Sequence, residues 1–142
     1  MTVNQLSIFI ENRSGTLVTV LQVLKQAGIQ IIASTIADTA DYGIYRIICS
    51  KPLHALQELK QAGVAVALSP VYALTLDDRP GCAADVVRLF SEECISLTYI
   101  YTFLFKGKGI LIFRTDDAEK ARQLILDNQL PFIAEEDLEQ WV

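Results

Sequence analysis

The chain is short of the residues that most active-site chemistries need. Its 142 residues contain one histidine, His54, and one tryptophan. A single imidazole removes most zinc sites and Ser-His-Asp arrangements. The three cysteines, Cys49, Cys82 and Cys94, form no C-x-x-C pair, and any disulfide scheme leaves one of them unpaired. They read as reduced thiols of a cytoplasmic protein. Basic residues number 12 against 17 acidic ones, giving a net charge of −5 and a pI near 4.8. Nucleic-acid binding relies on Lys and Arg to release phosphate counterions, so this deficit argues against it. No apolar run is long: residues 95–105 are broken by Ser96, Thr98 and Thr102 and reach about half of the ~20 residues a membrane helix requires. The first five residues carry no basic segment and run into a strand pattern, so no signal peptide is expected.

Apolar material, by contrast, is plentiful. Hydrophobic residues make up 51% of the chain and charged ones 20%, with a mean hydropathy of +0.32. That composition excludes disorder and exceeds what one small monomer comfortably hides.

The pattern along the chain is used twice. Residues 5–11 alternate, with Leu6, Ile8 and Ile10 on one face, which predicts a strand. After a polar loop at 12–15, Leu17, Val20, Leu21 and Leu24 recur at helical spacing up to Gly28. Residues 29–37 and 43–49 predict two further strands joined by a polar turn. A helix carrying Leu53, Leu56 and Leu59 follows, with Pro52 near its start and Gly63 at its end, and residues 64–68 form a fourth strand. An offset of 66 residues then carries Arg13 onto Arg79, Gly15 onto Gly81, Ile29 onto Ile95 and Gly43 onto Gly109. Asp116 falls opposite Ser50 and is expected to cap the second helix of its unit. The turn at residues 106–109 becomes the second hairpin. The expected architecture is α+β, with two ferredoxin-like βαββαβ units, residues 1–70 and 71–142, each an antiparallel sheet with helices on one face. Almost no linker separates them, and no room remains for a separate catalytic domain.

The loop after each first strand carries a family resemblance. Glu11-Asn12-Arg13-Ser14-Gly15 before a helix, followed by Gly28-Ile29-Gln30-Ile31, resembles the ACT regulatory domain. Asp77-Asp78-Arg79-Pro80-Gly81 and Cys94-Ile95-Ser96-Leu97 repeat that pattern, so the resemblance spans the chain as a tandem pair. It implies a non-catalytic regulatory protein that binds a small effector, most often an amino acid, at the interface between ACT domains. The implied ligand-binding residues are Asn12, Arg13, Ser14, Gly15, Thr16, Leu17, Gln30 and Ile31 in the first repeat. In the second they are Asp78, Arg79, Pro80, Gly81, Cys82, Ser96 and Leu97. No catalytic group, metal or cofactor is implied.

Local chemistry agrees with that placement. The first turn of a helix offers N–H groups without intrahelical partners, and its dipole favours a carboxylate. Asn12 suits either end of an amino acid, whereas Asp78 suits its ammonium, so the two sites are expected to be unequal. Ile10 and Leu76 stand where some amino-acid-binding members place a polar residue. Each feature also has a plainer reading: Asn12 or Ser14 as a helix cap, Arg13 and Arg79 as solvated or salt-bridging residues, His54 as a solvated helix residue, and Cys82 as a small buried filler. The acidic pairs read as a helix start and a solvated tail rather than a metal site.

Tyr99, Tyr101, Phe103 and Phe105 alternate along the fifth strand. They continue the phase of Ile95 and Leu97 and so, without a bulge, belong to the packed face. With Ile100 and Leu104 on the other phase, this strand is apolar on both sides. A homodimer covering the sheet face away from the helices is therefore expected, as is joining of the two sheets through their second strands. A regulated protein partner is possible under this reading, and neither nucleic acid nor membrane is expected as one. Two alternatives remain: a small acyl-phosphate hydrolase using Arg13 or Arg79, and an oligomerisation module with vestigial pockets.

Overall fold

The computed structural model describes residues 1–11, 15–38 and 41–140. Among them the chain runs β1 (Val3–Glu11), α1 (Thr16–Gln26), β2 (Ile31–Asp38), β3 (Tyr42–Cys49), α2 (Pro52–Gln61) and β4 (Val66–Leu76). It continues with α3 (Cys82–Glu92), β5 (Leu97–Phe105), β6 (Lys108–Thr115), α4 (Ala118–Asp127) and the short α5 (Glu135–Glu139). The expected α+β class and its βαββαβ order are both present. The chain divides into two compact units, one of residues 4–69 with the segment from Leu138, the other of residues 1–3 with 70–137.

In the first unit the strands lie in the order β2-β3-β1-β4. Leu6, Ile8 and Ile10 of β1 and Tyr45, Ile47 and Cys49 of β3 pack with Val20 and Leu24 of α1 and Ala55 and Leu59 of α2. Leu6, Ile8, Ile10, Val20, Leu24, Ile47 and Leu59 are positions whose spacing predicted the elements. On α2 the expected apolar face is shifted: Leu53 is 66% exposed, and Ala55 is buried beside Leu59. In the second unit the order is β4-β6-β5. Tyr72, Leu74, Leu111 and Phe113 meet Phe90 of α3 and Ala121, Leu124 and Ile125 of α4. Phe113 sits between two rings, edge-on to Phe90 at 5.0 Å and stacked on Tyr72 at 5.5 Å.

The repeat holds at the level of single hydrogen bonds. The Phe9 N–H donates to the Ala65 carbonyl at 2.9 Å, and 66 residues on Thr75 donates to Pro131 at 2.9 Å. The second unit's fourth strand is nonetheless reduced to one bridge, Leu74 to Phe132. Pro131 has no N–H to extend the ladder.

Each second strand has one hydrogen-bonded neighbour in its own unit, β2 on β3 and β5 on β6. β4 includes the residues at which the first unit ends and the second begins, Ser69 and Pro70.

The aromatic stripe also needs correction. β5 is bulged between Leu97 and Tyr99, so that Leu97 faces Thr115 but Tyr99 faces Arg114. One extra residue exchanges the faces of everything after it. Leu97 packs on the helix-side core, whereas Tyr101 and Phe103 oppose Ile112 and Ile110 on the other face. β2 carries the same bulge 66 residues earlier, between Ile31 and Ala33. The face away from the helices is bare only in part: Ile48, Ile110 and Ile112 are buried, whereas Phe9 and Tyr42 on that face are exposed. The exposed apolar side chains of β5 are Ile100 and Leu104, on the helix side, and Leu104 is 76% exposed.

Candidate functional site

Both helices that follow a first strand start at a left-handed glycine. Gly15 has φ 94° and Gly81 φ 86°, and each is the residue preceding its helix. A Cβ at either position would meet nothing within 4 Å. Backbone conformation, not crowding, is what requires glycine there. Because glycine has no side chain, neither helix start receives a side-chain cap from this position.

In the first repeat, Asn12, Arg13 and Ser14 lie outside the described residues. Beside them, the Thr16 hydroxyl donates to the Glu11 carbonyl at 2.8 Å, and the Thr19 hydroxyl donates to the Gly15 carbonyl at 2.9 Å within the first turn of α1. Leu17 and Ile31 pack against the core, and Gln30 is exposed. A cleft of about 350 Å³ adjoins the loop, bordered by Glu11, Thr16 and Thr19 and by residues 62–65.

In the second repeat, Asp78, Arg79, Gly81 and Cys82 line a cleft of about 380 Å³ together with Thr102 and Leu104 of β5. Pro80 is exposed on the same loop. Ser96 and Leu97 do not reach this cleft. They line a separate one of about 680 Å³ with Val87, Ser91, Cys94 and Tyr99, at the other end of β5. Thr102 and Leu104 were not anticipated as neighbours of the loop, since only the sheet register places them there.

The two repeats differ electrically. The Arg79 guanidinium is 3.5 Å from Asp85, an acid in the first turn of α3, and Arg88 approaches the same carboxylate at 3.8 Å. At the start of α4, Asp117 accepts from the Lys120 N–H at 3.0 Å, and Glu119 lies in the first turn. Neither α1 nor α2 has an acid in its first turn or a side-chain cap at its start. The second repeat therefore supplies its own negative charge to its helix starts, and the first does not.

Asp117, not Asp116, caps α4, and Ser50 does not cap α2, whose preceding residue is the left-handed Lys51 at φ 51°. Ser50 and Asp116 are engaged elsewhere. The Ser50 Oγ accepts from the Gln30 N–H at 2.9 Å, and the Asp116 Oδ1 accepts from the Ser96 N–H at 3.1 Å.

The remaining candidates have plain roles. His54 is solvent-facing, 4.0 Å from Glu58 one turn on. Cys82 is half-buried, and all three cysteines are free thiols. Among the described residues no group of three or more His, Cys, Asp or Glu is placed to hold a metal. No helix of the described residues is long and apolar enough to cross a membrane.

Two βαββαβ units, each with a glycine-initiated helix behind its first loop, define the class. The chain belongs to the ACT domain pair family, which it matches over residues 1–142. It is similar to protein BT0572 from Bacteroides thetaiotaomicron at 33% identity and TM-score 0.92, over 98% of this chain and 96% of that one. The ligand-free regulatory subunit of aspartate kinase from Thermus thermophilus shares the fold at TM-score 0.65 and 16% identity, over 87% of this chain and 91% of that one. The corresponding subunit from Thermus flavus does so at TM-score 0.60 and 16% identity, over 86% and 87%. No curated protein matches the chain.

Proposed function

We propose that this protein is a non-catalytic cytoplasmic regulator whose two ACT domains, residues 1–70 and 71–142, serve to bind an amino acid effector. The carrying observation is the unequal charge at the helix starts. The first turn of α1 contains no acid of its own and follows an open glycine, which suits a carboxylate. At α3, Asp85 already stands in that position and holds Arg79. On this reading the loop of the first repeat, with Asn12, Arg13, Ser14, Gly15 and Thr16, takes the effector. The counterpart around Asp78 to Cys82 does not take its carboxylate.

The pocket is completed by the entry to a second strand, Gln30-Ile31 or Ser96-Leu97, from a neighbouring domain. In the second repeat, loop and entry line different clefts at opposite ends of β5, so one domain does not join them. A homodimer would supply the neighbour. β5 is an edge strand of nine residues without a charge, and Leu104 protrudes from it, the kind of edge that folded proteins cover. The output would be a change of shape or assembly read by a partner protein.

Thermal-shift measurement with each of the twenty L-amino acids tests the reading. One or a few should raise the unfolding midpoint, and equilibrium dialysis should give about one molecule bound per chain. A folded chain that responds to none of them refutes it. Light scattering that reports a monomer at micromolar concentration removes the dimer.

A further inference from the structure

Resting on that reading, we propose that Ser50 and Asp116 are positioning residues of the effector site, each latching the strand entry that closes the pocket. The two residues stand at the end of the third strand of their repeat, 66 positions apart, and make the same pair of contacts. Ser50 accepts from the Gln30 N–H at 2.9 Å through its hydroxyl, and its own N–H donates to the Gln30 carbonyl at 2.9 Å. Asp116 accepts from the Ser96 N–H at 3.1 Å, and its N–H donates to the Ser96 carbonyl at 3.2 Å. Thr115 adds a third tie in the second repeat, donating to the Ser96 carbonyl at 3.1 Å.

The N–H groups of Gln30 and Ser96 are thereby taken up, and each carbonyl is tied back to the third strand. The exposed side chains are left to meet a ligand, the Gln30 amide in one repeat and the Ser96 hydroxyl in the other. The stretch they occupy is short. It lies between a buried isoleucine, Ile29 or Ile95, and the bulge that follows residue 31 or 97. A bulge leaves an unpaired residue and a locally disrupted ladder. The latch is what defines the entry's backbone on the near side of that disruption. The residue type has changed between repeats, from a hydroxyl to a carboxylate, while the acceptor and its partner have not. A side chain wanted only for local chain polarity would not keep both.

The test uses the full chain and the L-amino acid that shifts its midpoint most among the twenty. Ser50→Ala and Asp116→Ala are titrated with that amino acid, beside Ser50→Thr and Asp116→Asn, which retain an acceptor oxygen. At least one alanine variant should bind about three- to tenfold more weakly, the worth of one hydrogen bond. Its threonine or asparagine counterpart should recover the affinity, and the unliganded midpoint should fall by no more than about 5 °C, the cost of the same hydrogen bond in the free fold. Hydrogen exchange at the Gln30 or Ser96 amide should accelerate in the same alanine variant. Unchanged affinity in both alanine variants overturns the proposal, as does a loss that the acceptor-retaining variants fail to restore. A wild-type chain that answers to no amino acid is a different result: it removes the effector reading itself, and the latch with it.

Discussion

Replacing Cys94 and Gln129 by glycine should make the protein more stable. All four long helices end alike, with two hydrogen bonds folding the chain back over the last turn. In α1 the Gly28 N–H reaches the Lys25 carbonyl at 3.1 Å and Ile29 reaches Leu24 at 3.0 Å. In α3 the Cys94 N–H reaches Ser91 at 3.0 Å and Ile95 reaches Phe90 at 2.9 Å. Such an ending places its first non-helical residue in the left-handed region, where glycine is the usual choice. The first repeat uses Gly28 and Gly63, at φ 70° and 80°; the second uses Cys94 and Gln129, at φ 57° and 52°. A residue with a Cβ is strained there by about 1–2 kcal/mol. Glycine returns roughly 0.4–1 kcal/mol of that through its looser unfolded chain. The net gain is about 0.5–1 kcal/mol per site and about 1–2 kcal/mol for the pair, or roughly 2–8 °C in midpoint for a chain of this length. Urea unfolding should show the midpoint rising with an unchanged slope, and Gly28→Ala with Gly63→Ala should show the reverse. Neutral or destabilising glycine variants would refute the claim that these two positions carry strain.

Three further outcomes follow from other contacts. Asp117→Ala removes the acceptor of the Lys120 N–H and should cost about 1 kcal/mol in urea unfolding, whereas Asp116→Ala should leave α4 capped. Phe90→Ala empties a fully buried ring position against Phe113 and should cost about 3–5 kcal/mol by the same assay. The Tyr72 hydroxyl donates to the Ala118 carbonyl at 2.6 Å, and burial, reinforced by the Glu119 carboxylate, holds its pKa above the ordinary 10.0. Raised in the fold, this group contributes its full stability below pH 10 and loses it as pH rises through the folded value. Tyr72→Phe should therefore cost about 1 kcal/mol near neutrality and flatten the decline in midpoint above pH 10.

Much of this was legible in the sequence, because the signals were periodic. Leu6, Ile8 and Ile10 alternate, Val20 and Leu24 lie one helical turn apart, and the βαββαβ order follows from such spacings. The offset of 66 residues paired the loops and the helix ends correctly. What escaped was whatever depends on geometry that leaves no residue signature. The bulges fall at Ile31 and Leu97 without a glycine to mark them, so the stripe from Tyr99 onward was expected on the wrong face. Ser50 and Asp116 precede helices, as caps do, yet the left-handed Lys51 and the adjacent Asp117 take the two helix starts and leave them to bind a strand. Thr102 and Leu104 lie more than twenty residues beyond the loop whose cleft they line, and only pairing with β6 brings them there.

The bulge in β5 makes the character of a whole sheet face depend on a count rather than on a composition. Removing Thr98, the extra residue, would straighten the strand and leave every face as it is, because Tyr99 would then follow Leu97 directly and still oppose Arg114. Keeping Thr98 but pairing it in regular alternation would instead turn Tyr99, Tyr101, Phe103 and Phe105 toward the helices and Ile100 and Leu104 to the other face. Those two arrangements share one sequence and one charge. A comparison by residue type would find no difference between them, while the surface exchanged aromatic rings for aliphatic branches.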